Sequence, residues 1–277
     1  MERDAAVAPV LKWVGGKRQL LPEIERLLPP AFNTYYEPFV GGGAVLFHLQ
    51  PARAVVNDIN PELINVYKVI KTSCQELLAD LSKHRNEREY FYRIRALDRD
   101  PAVYEKLSDV ERASRILYLN KTCYNGLYRV NSKGQFNAPF GAYVNPNILN
   151  EETISAVHRY FNRAEVTFRC GDFAAAMEDS EEGDFVYFDP PYDPLSDSAN
   201  FTGYASGGFC RGEQERLRNL CDELTKRGVK FLLSNAATDF ILDLYKDYHI
   251  EIVQANRVVN SRGDLRGPVE ELLVRNY

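Results

Sequence analysis

An acidic residue, two prolines and a tyrosine follow directly on an apolar stretch: Asp189-Pro190-Pro191-Tyr192 comes after Val186-Tyr187-Phe188. Proline has no N–H and fixes its own φ, so two prolines end a strand abruptly and stiffen the backbone beside them. The motif can therefore present a carboxylate, a carbonyl and an aromatic ring without reorganising. Such an acceptor pair suits an amino group, and the ring suits a stacked base. The alternative interpretation is a simple turn.

A second candidate site combines the glycines at 41–43 with Asp58. Residues 34–40 read as a strand that runs into the glycines, and residues 52–57 read as a second strand that ends at Asp58. Glycines after a strand let a ligand approach the backbone, and an acid at the end of the next strand can bind both hydroxyls of a ribose. The third glycine of a dinucleotide site is missing, because position 46 is Leu46. The pattern favours a nucleoside ligand, with a plain tight turn as the alternative.

Strands alternate with helices along the chain, which predicts an α/β fold with helices on the faces of the sheet. Ligands of an open α/β sheet bind outside the carboxyl ends of its strands, where Asp58 and Asp189 are expected. Strands are predicted over residues 34–40, 52–57, 166–169, 185–188, 230–234, 250–254 and 271–275, and helices over 44–49, 61–81, 87–97, 108–122, 213–227 and 237–246.

A helix-rich, locally basic block interrupts this alternation. We interpret residues 60–147 as a domain inserted into a catalytic domain of residues 1–59 and 148–277. Near residues 124–141 the composition shifts to Asn, Gly, Pro and aromatic residues, which predicts a hairpin. The whole chain carries a net charge of −5, but residues 83–133 hold twelve Lys and Arg against seven acids. A solvent-exposed helix face accounts for most of that excess of basic residues. It accounts least well for the basic residues in the aromatic-rich part of the segment.

The composition is typical of a soluble globular protein, with 45% hydrophobic and 26% charged residues among 277. No apolar run approaches the ~20 residues of a membrane span, and the acidic start does not resemble a signal peptide. We therefore expect a cytoplasmic protein with no membrane partner, and a monomer in solution. Five cysteines without C-x-x-C spacing and four scattered histidines lead us to expect free thiols and no metal.

Six strings of this sequence resemble the DNA adenine-N6 methyltransferases, and among them the Dam group. They occur in the family's order and span nearly the whole chain. D-P-P-Y alone is moderately specific, because related strings occur in methyltransferases that act on other amines, but the set together is highly specific. The strings are LKWVGGK (11–17), EPFVGGGAVLF (37–47), NDIN (57–60), YNGLYRVNSKGQFNAPFG (124–141), DPPYDPLSDSANFTGY (189–204) and VEELLVRNY (269–277).

The resemblance implies a Rossmann-like S-adenosylmethionine-dependent methyltransferase sheet with an inserted helical DNA-recognition domain. S-adenosylmethionine would be the methyl donor, with its ribose on Asp58 and its adenine near Phe173. The residues implied in donor binding are Trp13, Gly15, Lys17, Glu37, Phe39, Gly41, Gly43, Asp58, Asp172, Phe173 and Asp189.

The implied reaction moves a methyl group to N6 of an adenine in double-stranded DNA. The lone pair of N6 is conjugated into the ring, and Asp189 with the Pro190 carbonyl would accept the amino hydrogens and free it. The base must first leave the duplex, and Tyr192 would then stack on it. These three residues, Asp189, Pro190 and Tyr192, are the predicted catalytic set.

The inserted block would read the DNA sequence. Arg129 suits the O6 and N7 atoms of a guanine, and the Dam group reads GATC, which we predict here. This chain keeps the family's pattern but differs beside Arg129, at Tyr128 and Val130. The residues implied in DNA contact are Lys12, Tyr124, Asn125, Leu127, Arg129, Asn131, Pro139, Tyr143 and Asn200.

Alternatives remain at this stage. Methylation of RNA adenine or of a protein amide uses the same chemistry, although the basic insert favours duplex DNA. A nucleotide-binding oxidoreductase lacks the third glycine and leaves D-P-P-Y unexplained, and intact Asp189 and Tyr192 disfavour an inactive DNA-binding module. The sequence leaves open whether the enzyme acts alone or beside a separately acting cognate restriction endonuclease.

Overall fold

The structure is a computed structural model, and it describes residues 3–194, 209–256 and 268–277. The strands are β1 (Tyr35–Glu37), β2 (Arg53–Asp58), β3 (Glu165–Cys170), β4 (Phe185–Phe188), β5 (Lys230–Ala236), β6 (His249–Asn256) and β7 (Pro268–Arg275). The helices are α1 (Leu21–Arg26), α2 (Ala44–Leu49), α3 (Pro61–Thr72), α4 (Cys74–Leu81), α5 (Arg88–Ala96), α6 (Pro101–Tyr104), α7 (Asp109–Thr122), α8 (Glu151–Arg163), α9 (Arg211–Lys226) and α10 (Asp239–Leu244).

Within the described residues the strands form one sheet of order β3-β2-β1-β4-β5-β7-β6. Strand β1 runs parallel to both of its neighbours, with Tyr36 opposite Val55 of β2 and Val186 of β4. Strand β5 runs parallel to β4, whereas β7 runs antiparallel to β5 and to β6. The predicted α/β class is confirmed. The carboxyl ends of the adjacent strands β1 and β4 lead into Glu37 and Asp189, where a ligand of such a sheet is expected.

The chain forms two compact units. The first unit comprises Met1–Gly16, Val40–Ala52 and Asn57–Gly171, and the second comprises Lys17–Phe39, Arg53–Val56 and Asp172–Tyr277. This division follows compactness and not function, so the division into a catalytic domain and an insert stays a prediction.

In the first unit, local signals set the ends of the long helices. Asn60 caps α3 by accepting hydrogen bonds from the backbone N–H groups of Glu62 and Leu63. Ser108 and Glu111 form a complete capping box at the start of α7. Helix α7 packs its buried face against Phe91 and Phe136, and these residues belong to the hydrophobic core under residues 124–141.

In the second unit, a hydrophobic core joins the sheet to α9 and α10. The buried residues of α9 recur at helical spacing, as Leu217, Leu220, Cys221 and Leu224. They pack in one cluster with strand residues such as Phe188. This core fixes β4 and β5, and the candidate catalytic residue Asp189 follows β4 directly.

Most predicted elements are present, with three differences. The stretch 61–81 is two helices and not one, because Ser73 leaves the helical conformation (φ −138°, ψ 44°). Strand β1 is shorter than predicted, and helices α1, α6 and α8 were not predicted. In the described parts of the chain, no helix is long and apolar enough to span a membrane.

Candidate active site

The loop after β4 holds Asp189 in a largely buried polar cage. Lys17 Nζ lies 2.7 Å from Asp189 Oδ1, and the Ser234 hydroxyl donates to the same oxygen over 3.1 Å. Burial raises the pKa of Asp189, while the charge and hydrogen bond of Lys17 and the hydrogen bond of Ser234 lower it. Two donors on one oxygen fix the rotamer of the carboxylate, which is what an acceptor needs if it is not to reorganise during a reaction.

Tyr192 is held at both its hydroxyl and its ring. The hydroxyl donates to Glu271 Oε2 over 2.7 Å, and Lys17 Nζ lies 4.6 Å from the centre of the ring. The resemblance places Lys17 among the donor contacts, and the structure brings its ammonium group to Asp189 and Tyr192. A fixed ring beside a fixed carboxylate suits a planar substrate with an amino group.

Side chains from β5 and α9 support the loop from below. Gln214 donates to the Pro191 carbonyl over 2.9 Å, Asn235 donates to Gln214 Oε1 over 3.0 Å, and Asn235 Oδ1 accepts from the Asp193 N–H over 3.1 Å. Gln214, Asn235 and Asp193 are all buried. A connected buried network of this kind makes a loop rigid when every member is bonded. Pro190, also buried, lies at the start of this supported segment.

Three phenylalanines form an aromatic cluster in the same unit. The ring of Phe39 lies 5.2 Å from that of Phe173 and 5.5 Å from that of Phe209. The Arg216 guanidinium covers Phe173 at 4.1 Å and pairs with both carboxylate oxygens of Asp172. That pairing, with hydrogen bonds from the backbone, lowers the pKa of Asp172. Phe39, Phe173 and Asp172, all predicted to contact the donor, therefore lie together.

Asp58 and Gly41, the residues predicted to bind a nucleoside, lie together in the first unit. Asp58 Oδ2 accepts from the Gly41 N–H over 3.1 Å, and Oδ1 accepts from the Asn60 N–H over 2.9 Å. The Tyr67 hydroxyl donates to the Gly41 carbonyl over 2.6 Å. Burial raises the pKa of Asp58, although the hydrogen bonds from the backbone act to lower it. The carboxylate is thus oriented while each oxygen keeps a further lone pair for a hydroxyl ligand.

Two glycines of this turn have to be glycine. Gly41 and Gly43 have positive φ angles of 46° and 70°. A Cβ atom on Gly41 would lie 2.8 Å from the ring of Trp13, and one on Gly43 would lie 2.8 Å from the ring of Phe47. Trp13 therefore packs directly on the glycine turn.

The remaining predicted donor residues are Gly15 and Glu37. Gly15 has a φ of 81°, so the segment turns sharply there. Glu37 is buried at the end of β1, and its Oε2 accepts from the Tyr35 hydroxyl over 2.8 Å.

The predicted hairpin is present between residues 129 and 137. Val130 pairs antiparallel with Phe136, and the Asn131 and Asn137 N–H groups donate to the Gln135 and Arg129 carbonyls over 2.9 and 2.8 Å. The Asn131 side chain accepts from two backbone N–H groups in the turn, so it stabilises the hairpin itself.

Most side chains predicted to contact DNA are exposed. Tyr124 is 56% exposed, and Asn125 beside it has a positive φ of 57°. Lys12, Arg129 and Pro139 are also exposed, whereas Leu127 and Tyr143 are half-buried. Asn200 lies outside the described residues.

Buried Asn120 fixes the backbone that carries Lys12. Asn120 Oδ1 accepts from the Lys12 N–H, and its Nδ2 donates to the Lys12 and Gly126 carbonyls, each over 2.9 Å. Lys12 Nζ lies 5.7 Å from the centre of the Tyr143 ring. The exposed ammonium group of Lys12 thus projects from a rigid backbone.

The residues that hold the candidate site in place were not predicted from the sequence. Ser234, Gln214, Asn235, Glu271 and Asn120 belong to no recognisable motif. The one available signal was that Ser234 and Asn235 stand at the carboxyl end of β5, next to β4.

An α/β sheet with a fixed carboxylate and a fixed aromatic ring after β4 suits a methyltransferase of the kind that acts on an amino group. A family model for D12 class N6 adenine-specific DNA methyltransferases matches residues 13–259, and the chain belongs to that family. It is therefore an adenine-specific DNA methyltransferase, and its methyl donor is S-adenosylmethionine.

Relatives resemble the chain over nearly its whole length. A Type II methyltransferase of Lactococcus lactis subsp. cremoris is 45% identical over 97% of this chain and 95% of its own. A Type II methyltransferase of Methanocaldococcus jannaschii is 40% identical over 98% of this chain and 99% of its own. A DNA adenine methylase of Vibrio cholerae serotype O1 is 36% identical over 95% of this chain and 94% of its own.

Proposed function

We propose that this protein methylates N6 of adenine in GATC sites of duplex DNA, on a base turned out of the helix. The single observation that supports the catalytic part most is the fixed Asp189, with Lys17 and Ser234 both on Oδ1. The GATC part rests on the exposed Arg129 in a hairpin whose sequence resembles that of the Dam group.

Asp189 would accept one hydrogen of the adenine amino group, and the Pro190 carbonyl would accept the other. These bonds draw the nitrogen toward tetrahedral geometry and make its lone pair available. When bound, S-adenosylmethionine supplies the methyl group on a positively charged sulfur. After transfer N6 carries one proton too many, and Asp189, made more basic by burial, would take it.

Lys17 would keep Asp189 ionised until the base arrives. An ammonium group 2.7 Å away favours the carboxylate and offsets the effect of burial. Tyr192, fixed through Glu271, would stack on the base and set its plane.

Donor binding is proposed for the residues named above, which fit the chemistry of the donor. Asp58 offers an oriented carboxylate to the ribose hydroxyls, and the glycines Gly41 and Gly43 leave room for close approach. Phe39 and Phe173 offer aromatic rings to the adenine, with Asp172 as a polar partner. Trp13, Gly15, Lys17, Glu37 and Asp189 complete the proposed set.

Arg129 is proposed to read a guanine. Its Nε donates to Asn137 Oδ1 over 2.7 Å and one Nη2 hydrogen donates to the Asn137 carbonyl over 3.2 Å. The N–H groups at the other end of the guanidinium then remain for O6 and N7 of the base. These hydrogen bonds from Arg129 to Asn137 orient the guanidinium group for the proposed contact.

The other DNA contacts follow the same proposal. Tyr124 and Asn125 would fill the gap that the adenine leaves, and Leu127 with Pro139 would touch a thymine methyl group. Lys12 would reach a second guanine. Asn131, Tyr143 and Asn200 are the remaining proposed contacts, and residues 60–147 are proposed as the recognition domain.

We further propose a role in restriction and modification, beside a cognate restriction endonuclease that acts separately. The two relatives at 45% and 40% identity are named Type II methyltransferases, and those named DNA adenine methylases lie at 34–36%.

Sequencing DNA from a methylation-free host that expresses this chain tests the proposal. We expect N6-methyladenine in GATC and in no other context. A modified motif other than GATC would overturn the sequence assignment and leave the chemistry standing, whereas unmodified DNA from a host containing folded enzyme would count against both.

A further inference from the structure

Tyr128 stands next to Arg129 in the hairpin but faces into the protein. It is half-buried, whereas Arg129 is exposed. Its ring contacts the edge of Phe136 on the other hairpin strand, with 5.8 Å between ring centres and 74° between the planes. Tyr128 is thus the inward neighbour of the residue proposed to read DNA, and it belongs to this chain's departure from the family's pattern.

The face of Tyr128 stacks on Trp13. The two ring centres lie 4.9 Å apart, and the planes differ by 24°. Trp13 in turn packs on the glycine turn, where a Cβ on Gly41 or Gly42 would lie 2.8 or 3.0 Å from its atoms. Any shift of the Trp13 ring would therefore press on or release the backbone of Gly41, whose N–H donates to Asp58.

We propose that Tyr128 is a positioning residue that couples DNA reading by the hairpin to donor binding at Asp58. The contact passes through Trp13 to the glycine turn, where the Gly41 N–H donates to Asp58. DNA bound to the hairpin would thereby tighten donor binding, and the donor would tighten DNA binding by the same factor, because equilibrium coupling is reciprocal. This inference rests on the proposed donor site at Asp58.

The test compares Tyr128→Ala with Ser132→Ala, a control at the exposed tip of the same hairpin. Titration calorimetry measures the Kd of S-adenosylhomocysteine with and without a duplex carrying the motif found by sequencing. An aromatic pair stabilises by about 0.5–1.5 kcal/mol, so Tyr128→Ala should weaken binding of the analogue about 2- to 10-fold without DNA. Ser132→Ala should keep the wild-type Kd.

The coupling factor separates positioning from a general loss of structure. It is the ratio of the two Kd values, and we expect Tyr128→Ala to bring it at least about 3-fold closer to one, since couplings are typically 5- to 150-fold. The same decrease must appear in DNA affinity measured with and without the analogue. Thermal unfolding of both variants checks that they are folded, and if Tyr128→Ala is not, Tyr128→Leu decides, since it keeps an apolar side chain against Phe136 but loses the stack on Trp13 and should lower the factor about 2-fold.

The variant Asp58→Ala distinguishes a failure of this inference from a failure of the donor site on which it rests. If Asp58→Ala loses donor binding while the decisive Tyr128 variant keeps wild-type affinity and coupling, the inference is overturned and the donor site stands. If Asp58→Ala binds the analogue normally, the donor site and the inference fall together.

Discussion

The loop after β4 and the hairpin at residues 129–137 are both stiff, but they are stiffened in opposite ways. In the loop the functional side chains themselves are held: Asp189 by Lys17 and Ser234, and Tyr192 by Glu271. In the hairpin the backbone bonds to itself, and the exposed Arg129, proposed to read a base, is held by Asn137 along one edge only.

The difference matches the roles proposed for the two regions. A group that stabilises charge in a reaction loses efficiency if it reorganises, so its rotamer is fixed by buried partners. A group that reads a base must reach into a groove, so one edge is oriented and the other is left to meet the base. Substitutions in the loop should therefore change rates, and substitutions in the hairpin should change selectivity.

Among substitutions in the loop after β4, Asp189→Ala should lower the activity most. Losing the acceptor for the amino hydrogens should lower kcat by about 10²- to 10⁴-fold, as is usual for a positioned acid or base. Donor affinity should fall far less than the rate, because the donor's reacting sulfur carries no such hydrogens and the other proposed donor contacts remain. Single-turnover methylation with donor titration measures both, and a variant that keeps more than about a tenth of the rate would remove Asp189 from the mechanism.

Asp58→Ala should weaken donor binding without affecting DNA binding by the hairpin. Loss of charge-assisted bonds to the ribose costs about 1.5–3 kcal/mol, which raises the donor Kd by about 10- to 150-fold. The Kd for DNA measured without donor should not change. A loss of DNA binding with normal donor binding would mean that the two roles are reversed.

Arg129→Ala should relax sequence choice and leave the chemistry intact. A bidentate arginine–guanine pair discriminates by about 1–3 kcal/mol. Methylation rates on duplexes with each GATC position replaced in turn should show a smaller penalty at one guanine and unchanged penalties elsewhere. Equal losses on every duplex, with a salt dependence weaker by about one unit, would instead assign Arg129 to the phosphate backbone.

Ser234→Ala should affect the same step as Asp189→Ala, but more weakly. One hydrogen bond to a charged group contributes about 1.5–3 kcal/mol, and Lys17 remains, so kcat should fall about 5- to 20-fold. Ser234 also lowers the pKa of Asp189, so its loss should raise that pKa further. The reaction needs the ionised carboxylate. As the pH is lowered, the variant should therefore lose activity at a higher pH than the wild type does. A pH profile of kcat that keeps its shape would show that Ser234 only fills space.

His84 concerns the stability of the first unit and not the reaction. Burial lowers the pKa of His84 to about 4, and its two ring nitrogens lie 2.9 Å from the Tyr90 hydroxyl and 3.0 Å from the Ser114 hydroxyl. Between pH ~6.5 and about 4 the unfolded chain binds the proton that the folded chain refuses, so stability falls with pH there.

Urea unfolding of wild type and His84→Gln across that range provides the measurement. The wild-type free energy of unfolding should decrease more steeply, by at most about 1.4 kcal/mol per pH unit, the limit for one proton. Identical slopes would show that His84 is protonated in the folded protein.

The parts of the site that the sequence predicts are those encoded by neighbours in the chain. Asp58 and Asp189 follow apolar strands, and the hairpin lies in a segment rich in turn residues, so adjacent residues were enough to locate them. Helix α8 was missed although the sequence carries a signal for it, since Ile154, Val157 and Phe161 recur at helical spacing. The break at Ser73 was missed because the apolar spacing continues across it.

The supporting residues could not be predicted, because tertiary structure alone brings them to the site. Ser234 lies 45 residues from Asp189, and Glu271 lies 79 residues from Tyr192. Serine and glutamate are common on surfaces, and nothing in their local sequence distinguishes a buried partner from an exposed residue.

Trp13 is the chain's one tryptophan, and its ring is stacked on Tyr128. Indole emission can be excited selectively over that of the 17 tyrosines, so the fluorescence of the unlabelled enzyme reports on a single location. Stopped-flow traces would then give the order in which donor and DNA arrive, without any dye or modified base.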